Sequence, residues 1–592
     1  MTRAFLLTIG LSATLVVPVS AQTPRVHESV VVSGSAEPVP FDSVGRAVWV
    51  LTRDDMARLP IRSVEDILRF ASSVDVRARS PYVQADFSIR GGSFGQTLVL
   101  LDGVRINDAQ SGHHNSDFPV TLDDIERVEV LLGTGSSLFG ADALGGTINI
   151  ITRGPSSQPE FSAVGGEHGL AGARTRLSFG QGQLQQTVSA DFIRSSGFKD
   201  DRDFENVALS SRTAFGRETR VQIGFVRKDF GAEGFYGPAP SRERTDQTIA
   251  ALTHGFSLSN WRSTVQAMYR SHGDRFLYDP RQPAAVPNVH RTHAATMLLR
   301  ANRSLGQRTR ASAGAELGSD WIRSSNLGDR SFHRGSGFFE LQQRLADRLI
   351  LYPGIRLDAY SQFGSAVSPS VATRFTVAPT FSVRASAGHA FRVPTFTELY
   401  YTDPNHRTSS DLRAERGWSA EAGADWVLGG RAIARATAFT RHDRDVIDWT
   451  RPSTAERWRT MNVRRVTVSG IETGLRYVFG STNLAEVQYT LLSTEADALT
   501  GLLSKYVLDY APHNVVLSGA VRVVGVDVSP RIGWTKRHAR SSYAVVDLRA
   551  SRKIRHVALF VEASNLFDEE YQEVTGVAMP GRWVSAGVRV VR

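Results

Sequence analysis

The sequence predicts an all-β barrel that spans a membrane, preceded by a smaller unit of mixed helix and strand. Three observations support this fold class: an N-terminal stretch typical of an export signal, no later apolar run long enough for a membrane helix, and short alternating segments from about residue 160 onward. An exported chain without such helices can still cross a membrane as a closed barrel, because every backbone group is then paired between strands.

Residues 1–21 have the composition of an export signal peptide. Arg3 precedes an apolar stretch, and the segment ends on the small residues Ser20 and Ala21, which a signal peptidase prefers. The alternative is a membrane anchor, but the stretch is shorter than the ~20 apolar residues of a span and is interrupted by Pro18. We therefore expect cleavage near residue 21.

Residues 40–155 combine helix and strand signals. The stretch "SVEDILRF" places apolar residues at helical spacing after Ser63, which is a suitable helix cap. The stretch "TLVLLDGVRIN" has a turn at Asp102 and Gly103 between two strand-like runs, and "TINIIT" supplies a further strand. We predict a small α/β domain over 40–155 that follows a linker over 22–39.

Residues 156–592 alternate between apolar and polar positions. The stretch "GIRLDAY" separates Ile355 and Leu357 from Arg356 and Asp358, and many later segments repeat this pattern. A soluble sandwich would also alternate, but the length of this region favours a large barrel with a polar lumen. A β-propeller is the competing all-β architecture, and we find no repeat of ~40 residues with a fixed signature.

Two glycine-containing motifs point to other chemistry. Gly135 and Gly140 have the separation of a phosphate-binding loop, but Ala141 and Asp142 stand where a lysine and a hydroxyl residue are needed. The stretch "GGSFG" at 91–95 matches the nucleophilic serine pattern, yet a strand follows where a hydrolase has a helix. We therefore predict no nucleotide site, no enzyme activity and no cofactor.

Composition narrows the partners further. The net charge of +10 comes from basic residues spread along the chain, which argues against nucleic-acid binding, and the absence of cysteine excludes thiolate metal sites. The carboxylates of Asp200, Asp201 and Asp203 offer ligands for calcium in a loop, but three acidic residues in a turn are more commonly solvated charge. No metal site is predicted.

The chain resembles the TonB-dependent receptors of Gram-negative outer membranes. In the first domain the resemblance rests on "SVEDILR", "FSIRGGSFGQTLVLLDGVRIND" and "IERVEVLLGTGSSLFGADALGGTINIIT", and in the barrel on "AFRVPTFTELY", "SNLFDEEYQ" and "MPGRW". It implies an outer-membrane barrel of about 22 antiparallel strands, with the α/β domain as a plug inside its lumen. It also implies that five glycines allow tight turns and close strand packing in the plug: Gly133, Gly135, Gly140, Gly145 and Gly146.

The resemblance implies energised import of a scarce extracellular ligand, either cobalamin or a ferric siderophore. TonB, with ExbB and ExbD, would pull on the plug from the periplasm, and the other partners would be outer-membrane lipid and the metal chelate or corrinoid. A haem receptor remains an alternative, because "FRVP" at 391–394 and His406 resemble the haem-uptake branch, although "SSDLRAE" replaces the motif expected downstream. A passive porin or adhesin is a second alternative, which predicts neither a plug nor a coupling segment.

Two sites follow from these expectations. The TonB box is predicted in "ESVVVS", a β-prone run suited to adding a strand to a partner's sheet, although it also suits a first plug strand: Glu28, Ser29, Val30, Val31, Val32 and Ser33. Ligand contact is predicted in the polar loop "QSGHHNSD", residues 110–117, through His113, His114, Asn115 and Asp117. Adjacent histidines in a turn also occur as ordinary surface residues.

Overall fold

The computed structural model describes residues 30–31, 33–156, 158–480 and 483–592. Within these residues a closed antiparallel barrel surrounds a smaller N-terminal domain of mixed sheet and short helices, and the predicted fold class is confirmed. The predicted signal peptide lies outside the described residues, as do Glu28, Ser29 and Val32 of the predicted TonB box.

The N-terminal domain is built around a five-stranded sheet. Its elements are β1 (Val30–Val31), β2 (Val39–Pro40), β3 (Val48–Thr52), α1 (Arg53–Arg58), α2 (Val64–Leu68), β4 (Val74–Ala78), β5 (Ala85–Ile89), β6 (Thr97–Leu101), β7 (Val104–Arg105), β8 (Ile125–Leu132), α3 (Ser136–Phe139) and β9 (Gly146–Thr152). The sheet has the order β3-β8-β9-β6-β7, with β6 and β9 parallel. Strands β1 and β2 pair separately, as do β4 and β5.

Local sequence signals place several of these elements. The Ser63 hydroxyl accepts a hydrogen bond from the Asp66 amide and caps α2 as expected. Asp102 and Gly103 both have positive φ, 50° and 81°, which the tight turn between β6 and β7 requires. The apolar faces of α2 and the sheet then meet in one core that includes Ile67, Val99 and Val128.

The glycine-rich turn between β8 and β9 serves close packing, as the sequence predicts. Gly133 and Gly140 have φ of 91° and 81°, in the left-handed region. A Cβ added to Gly146 would lie 2.8 Å from Cδ1 of Ile89 and closer still to the carbonyl oxygen of Leu131. This turn therefore needs glycine for its own backbone, without any phosphate.

We expect Gly146→Ala to destabilise the plug by roughly 1–3 kcal/mol, because the new methyl group must displace a strand backbone. Hydrogen exchange of the β8 and β9 amides measures this as a lower free energy of local opening. The matched control is Gly154→Ala, where an added Cβ meets nothing within 4 Å. Equal exchange rates in the two variants would contradict the packing role.

The barrel wall consists of long antiparallel strands. In the described residues the strands are β10 (Glu160–Gly166), β11 (Leu170–Phe179), β12 (Leu184–Ser195), β13 (Phe204–Phe215), β14 (Thr219–Gly231), β15 (Arg242–Leu258), β16 (Trp261–Leu277), β17 (Asn288–Ser304), β18 (Thr309–Ser324), β19 (Arg330–Ala346), β20 (Leu349–Tyr360), β21 (Gly364–Ala378), β22 (Phe381–Arg392), β23 (His406–Arg407), β24 (Glu415–Leu428), β25 (Ala432–Arg451), β26 (Trp458–Phe479), β27 (Asn483–Glu495), β28 (Leu503–Ser504), β29 (His513–Val523), β30 (Val526–Lys536), β31 (Ser542–Ile554), β32 (Val557–Ser564) and β33 (Trp583–Val591). Because β22 pairs directly with β24, and β27 with β29, the two-residue strands β23 and β28 lie outside the wall. The other 22 form it, and β10 closes it by pairing with β33.

The two faces of the wall differ as the alternation predicts. On β20, Ile355 and Leu357 are 44% and 55% exposed on the outside, whereas Arg356 and Asp358 are buried against the lumen. A short helix, α4 (Phe396–Tyr400), lies in the loop after β22. Among the described residues, no helix is both long and apolar enough to cross a membrane.

Candidate functional site

The barrel has two unlike rims. Turns of two to four residues join the strands at the rim where the plug enters, for example at 259–260 and 347–348, whereas loops such as 393–414 and 496–512 cross the opposite rim. Barrels of outer membranes have short periplasmic turns and longer extracellular loops. By this rule the long-loop rim is expected to be the extracellular side of the barrel.

The plug turns its loop 110–117 toward this rim. The amides of Phe396 and Thr397 donate to the carbonyls of Ala109 and Gln110, at 2.9 and 3.0 Å, so the plug and a long barrel loop are joined through their backbones. A short helical turn at Gly112–His114 then presents the two adjacent histidines in different directions.

His113 lies among aromatic side chains at the top of the plug and keeps 17% of its side chain exposed. Its ring centroid is 4.3 Å from that of Phe94, and the Tyr506 ring meets Phe94 edge-on at 4.9 Å. The Tyr506 hydroxyl is 3.4 Å from Nε2 of His113. We call these three residues, Phe94, His113 and Tyr506, the apex triad.

The imidazole of the apex triad is neutral at physiological pH. Burial lowers the pKa of His113 to about 4, although the Asp86 carboxylate favours its charged form. Nδ1 lies 2.8 Å from Oδ1 of Asp86 and donates its hydrogen there, so Nε2 is an acceptor. The triad thus forms an aromatic surface with one neutral hydrogen-bond acceptor, Nε2 of His113.

His114 points the other way, into the plug–barrel interface. Its Nε2 is 3.4 Å from Oδ2 of Asp274 on β16. Burial opposes a charge on this ring, but the hydrogen bond to Asp274 raises the pKa of His114 to about 10. His114 therefore holds the loop against the barrel wall.

The remaining two predicted ligand residues are also buried in this interface. Asn115 accepts a hydrogen bond from the Asp108 amide at 3.1 Å, within the plug. Asp117 contacts Nζ of Lys228 at 3.2 Å and Nε2 of His272 at 3.0 Å, both on the barrel. Of the four residues predicted for ligand contact, the structure leaves His113 partly exposed and encloses the other three.

Tyr506 of the triad and its neighbour Lys505 were not predicted from the sequence. Lys505 has its Nζ 5.8 Å from the Trp449 ring and 5.5 Å from the Tyr506 ring. Burial lowers the pKa of Lys505 to about 8, which weakens it as a permanent cation. Both lysine and tyrosine lie in the loop 496–512, whose sequence has no periodicity that would bring them to the plug.

Four arginines near the apex are paired with carboxylates. The pairs are Arg77 with Asp509 at 3.1 Å, Arg79 with Asp86 at 3.3 Å, Arg392 with Glu398 at 2.7 Å and Glu415 at 2.8 Å, and Arg537 with Asp75 at 2.6 Å. An anion that approaches any of these four arginines must therefore compete with the carboxylate already bound to it.

The predicted TonB box is described only in part. Val31 is fully buried in β1 and pairs with Val39, and the Ser33 amide donates to Oε2 of Glu129 at 2.8 Å.

His406, the residue considered as a haem ligand, lies in the loop 393–414. Its Nδ1 is 3.0 Å from Oδ1 of Asp403, and its ring is edge-on to Trp449.

The chain is similar in sequence to two protein-family models and to curated transporters. A family model described as TonB dependent receptor-like, beta-barrel matches residues 176–566, and one described as TonB-dependent Receptor Plug Domain matches residues 41–147. The chain is similar to vitamin B12 transporters BtuB of Photobacterium profundum, at 24% identity over 92% of each chain, and of Vibrio vulnificus strain YJ016, at 24% over 95% of this chain and 94% of the other.

Among solved structures, the siderophore receptor PirA of Pseudomonas aeruginosa is similar at 20% identity and a TM-score of 0.74, covering 92% of this chain and 99% of the other. A mutant of the ferric enterobactin receptor PfeA of the same organism is similar at 16% identity and a TM-score of 0.78, covering 93% and 98%. At these identities the likeness to solved structures concerns the fold.

Proposed function

Because the chain belongs to the TonB-dependent receptor family, whose members are receptors and transporters rather than enzymes, we propose that it imports a corrinoid across the outer membrane. TonB, with ExbB and ExbD, would supply the energy of the proton-motive force. In this proposal a signal peptide over 1–21 is removed, 22–39 carries the TonB box, 40–155 is the plug and 156–592 is the barrel. A ferric siderophore is the second candidate ligand.

The apex triad is the observation that favours a corrinoid. A corrin ring is broad and carries mainly uncharged amide side chains, so an aromatic surface with a neutral acceptor suits it. A ferric catecholate carries net negative charge and needs cations, whereas Arg77, Arg79, Arg392 and Arg537 near the apex are already paired with carboxylates. The vitamin B12 transporters that match along nearly the whole chain agree with this choice.

The test uses three ligands on the purified receptor: cyanocobalamin, ferric enterobactin and hemin. We expect cyanocobalamin to stabilise the folded receptor by a free energy of RT ln(1 + [L]/Kd) and so to raise the thermal midpoint, and the other two ligands to leave the midpoint unchanged. A rise of the midpoint with ferric enterobactin alone would identify the ligand as a siderophore instead of a corrinoid. A rise with hemin alone would favour a haem receptor.

Energy coupling is tested in cells with labelled cyanocobalamin. Uptake should stop when a protonophore collapses the proton gradient, while binding at the cell surface continues. Uptake that survives the protonophore would identify a passive porin and contradict the import mechanism.

We expect His113→Ala to weaken cyanocobalamin binding about tenfold, because one good polar contact in a water-poor site contributes roughly 1 kcal/mol or more. Equilibrium binding to the purified receptor measures the change. His293→Ala is the matched control, since this imidazole lies on the outer face of β17 and stacks on Trp321. An unchanged Kd in folded His113→Ala would remove this residue from the site.

A further inference from the structure

A buried cluster of imidazoles and carboxylates joins the plug to the barrel wall below the apex triad. The plug supplies His114 and Asp117, and the barrel supplies Glu243 from β15 with His272 and Asp274 from β16; each is between 1% and 7% exposed. We propose that this cluster binds one divalent d-block metal ion, such as Zn²⁺, which fastens the loop 110–117 to the barrel.

The spacing of the donor atoms suits such an ion. Two triplets, His114 with Asp117 and His272, and His114 with Glu243 and Asp274, each have their ligand atoms within 4.8 Å of one another. Nε2 of His272 is 3.0 Å from Oδ2 of Asp117, and Nε2 of His114 is 3.4 Å from Oδ2 of Asp274. Tetrahedral zinc, with bonds of about 2.0–2.1 Å, requires donor atoms about 3.3 Å apart.

The surroundings of His272 provide a second argument. Its Nε2 faces Asp117 while its Nδ1 lies 2.9 Å from Oδ2 of Asp108, so both ring nitrogens meet carboxylates. A neutral imidazole has one hydrogen and can satisfy only one of them. With a metal on Nε2, the ring hydrogen would be on Nδ1, and Asp108 is the carboxylate that faces it, as is usual for a metal-binding histidine.

The buried carboxylates of the cluster also favour binding of a cation. Arg270 pairs with Asp108 at 2.9 Å and Lys228 with Asp117 at 3.2 Å, but Glu243 and Asp274 contact no arginine or lysine among the described residues. In the same part of the chain, Oδ1 of Asp274 is buried without a hydrogen-bond donor. A metal ligand must be a neutral imidazole, so metal-bound His114 would no longer supply a cation to Asp274, and the charges of Glu243 and Asp274 would then match one divalent ion.

The donor set selects the class of metal. Imidazole nitrogens combined with carboxylate oxygens suit zinc, nickel or copper, whereas calcium and magnesium prefer oxygen ligands alone. Since the donors come from both the plug and the barrel, an ion here would make docking of the loop 110–117 depend on metal.

The experiment loads the purified full-length receptor with Zn²⁺ after treatment with EDTA. We expect mass spectrometry of metal content to find one Zn²⁺ per chain after dialysis, and Zn²⁺ to raise the thermal midpoint while Mg²⁺ does not. His114→Gln and His272→Gln should each lose the bound ion. Asp108→Asn, which removes the carboxylate that faces Nδ1 of His272 and also pairs with Arg270, should weaken affinity roughly 10–100-fold.

The matched control is His293→Gln on the outer face of β17, which should keep one ion per chain. If His272→Gln fails to fold, X-ray absorption of zinc-loaded wild-type receptor decides the question, because two imidazole ligands give a distinct scattering pattern. Wild-type receptor that keeps no zinc would overturn the proposal, and the cluster would then hold protons alone. Zinc retention that survives both histidine substitutions would overturn it equally.

Discussion

Replacing Val31 by proline is expected to abolish uptake while ligand binding at the cell surface is preserved. In the proposed function, the segment 28–33 leaves the plug and adds a strand to the sheet edge of TonB. Such pairing depends on backbone amides in extended conformation, and proline removes an amide hydrogen and fixes φ. The measurement is uptake of labelled cyanocobalamin beside binding at 0 °C, where energised transport stops.

The described part of this segment is held to the plug by few contacts. Val31 packs in a core of ten buried residues that includes Val39 and Val48, the Ser33 amide donates to Glu129 at 2.8 Å, and the Asn149 side chain donates to Oγ of Ser33 at 3.1 Å. Individual hydrogen bonds of this kind contribute about 1 kcal/mol net, so the segment can be released without unfolding the plug sheet.

Val31→Ala is the control for this prediction. It loses the same apolar contacts as the proline variant but keeps the amide and a free φ, so uptake should be largely retained. Equal loss of uptake in both variants would assign the effect to packing of β1 on the plug. Loss of surface binding in the proline variant alone would show that Val31 stabilises the receptor instead of coupling it.

Much of the fold follows from short-range sequence patterns. The alternation in "GIRLDAY" predicts which face of β20 meets the lumen, and Ser63 predicts the start of α2. These signals are readable because strand period and helix capping depend on residues two to four positions apart. The resemblance to a receptor family predicted the plug inside the barrel, which no local pattern encodes.

The candidate sites could be predicted only in part. The loop 110–117 was identified as polar and exposed to a ligand, but no pattern distinguishes His113, beside Phe94, from His114, beside Asp274. Phe94 lies in another segment of the plug and Asp274 on a barrel strand, so only the folded structure brings each partner to its histidine. The predicted roles of the four loop residues and of the TonB box remain predictions.

Arg90→Met is expected to loosen the plug more than any other single change in the interface. The guanidinium lies at the end of β5 and donates to Glu421 on β24 at 2.7 Å and to Glu472 on β26 at 2.6 and 2.8 Å. It also lies 4.2 Å from the centre of the Phe439 ring. Methionine keeps much of the apolar contact but leaves the buried Glu421 and the partly buried Glu472 without this cation, and breaking a buried pair typically costs about 3–5 kcal/mol.

The effect of Arg90→Met should be visible in cells and in purified protein. A plug that is held less firmly in the lumen should let large hydrophilic antibiotics such as vancomycin cross the barrel. Hydrogen exchange should accelerate at plug amides of the variant more than at its barrel amides. Adding Glu421→Gln and Glu472→Gln should restore part of the stability, since the charges left by the first change are then removed. Arg522→Met is the control, because its pair with Asp527 is on an exposed hairpin, where solvent screening leaves an ion pair little effect on stability. If Arg90→Met and Arg522→Met gave the same permeability and exchange, the buried ion pairs of Arg90 would not be what retains the plug in the lumen.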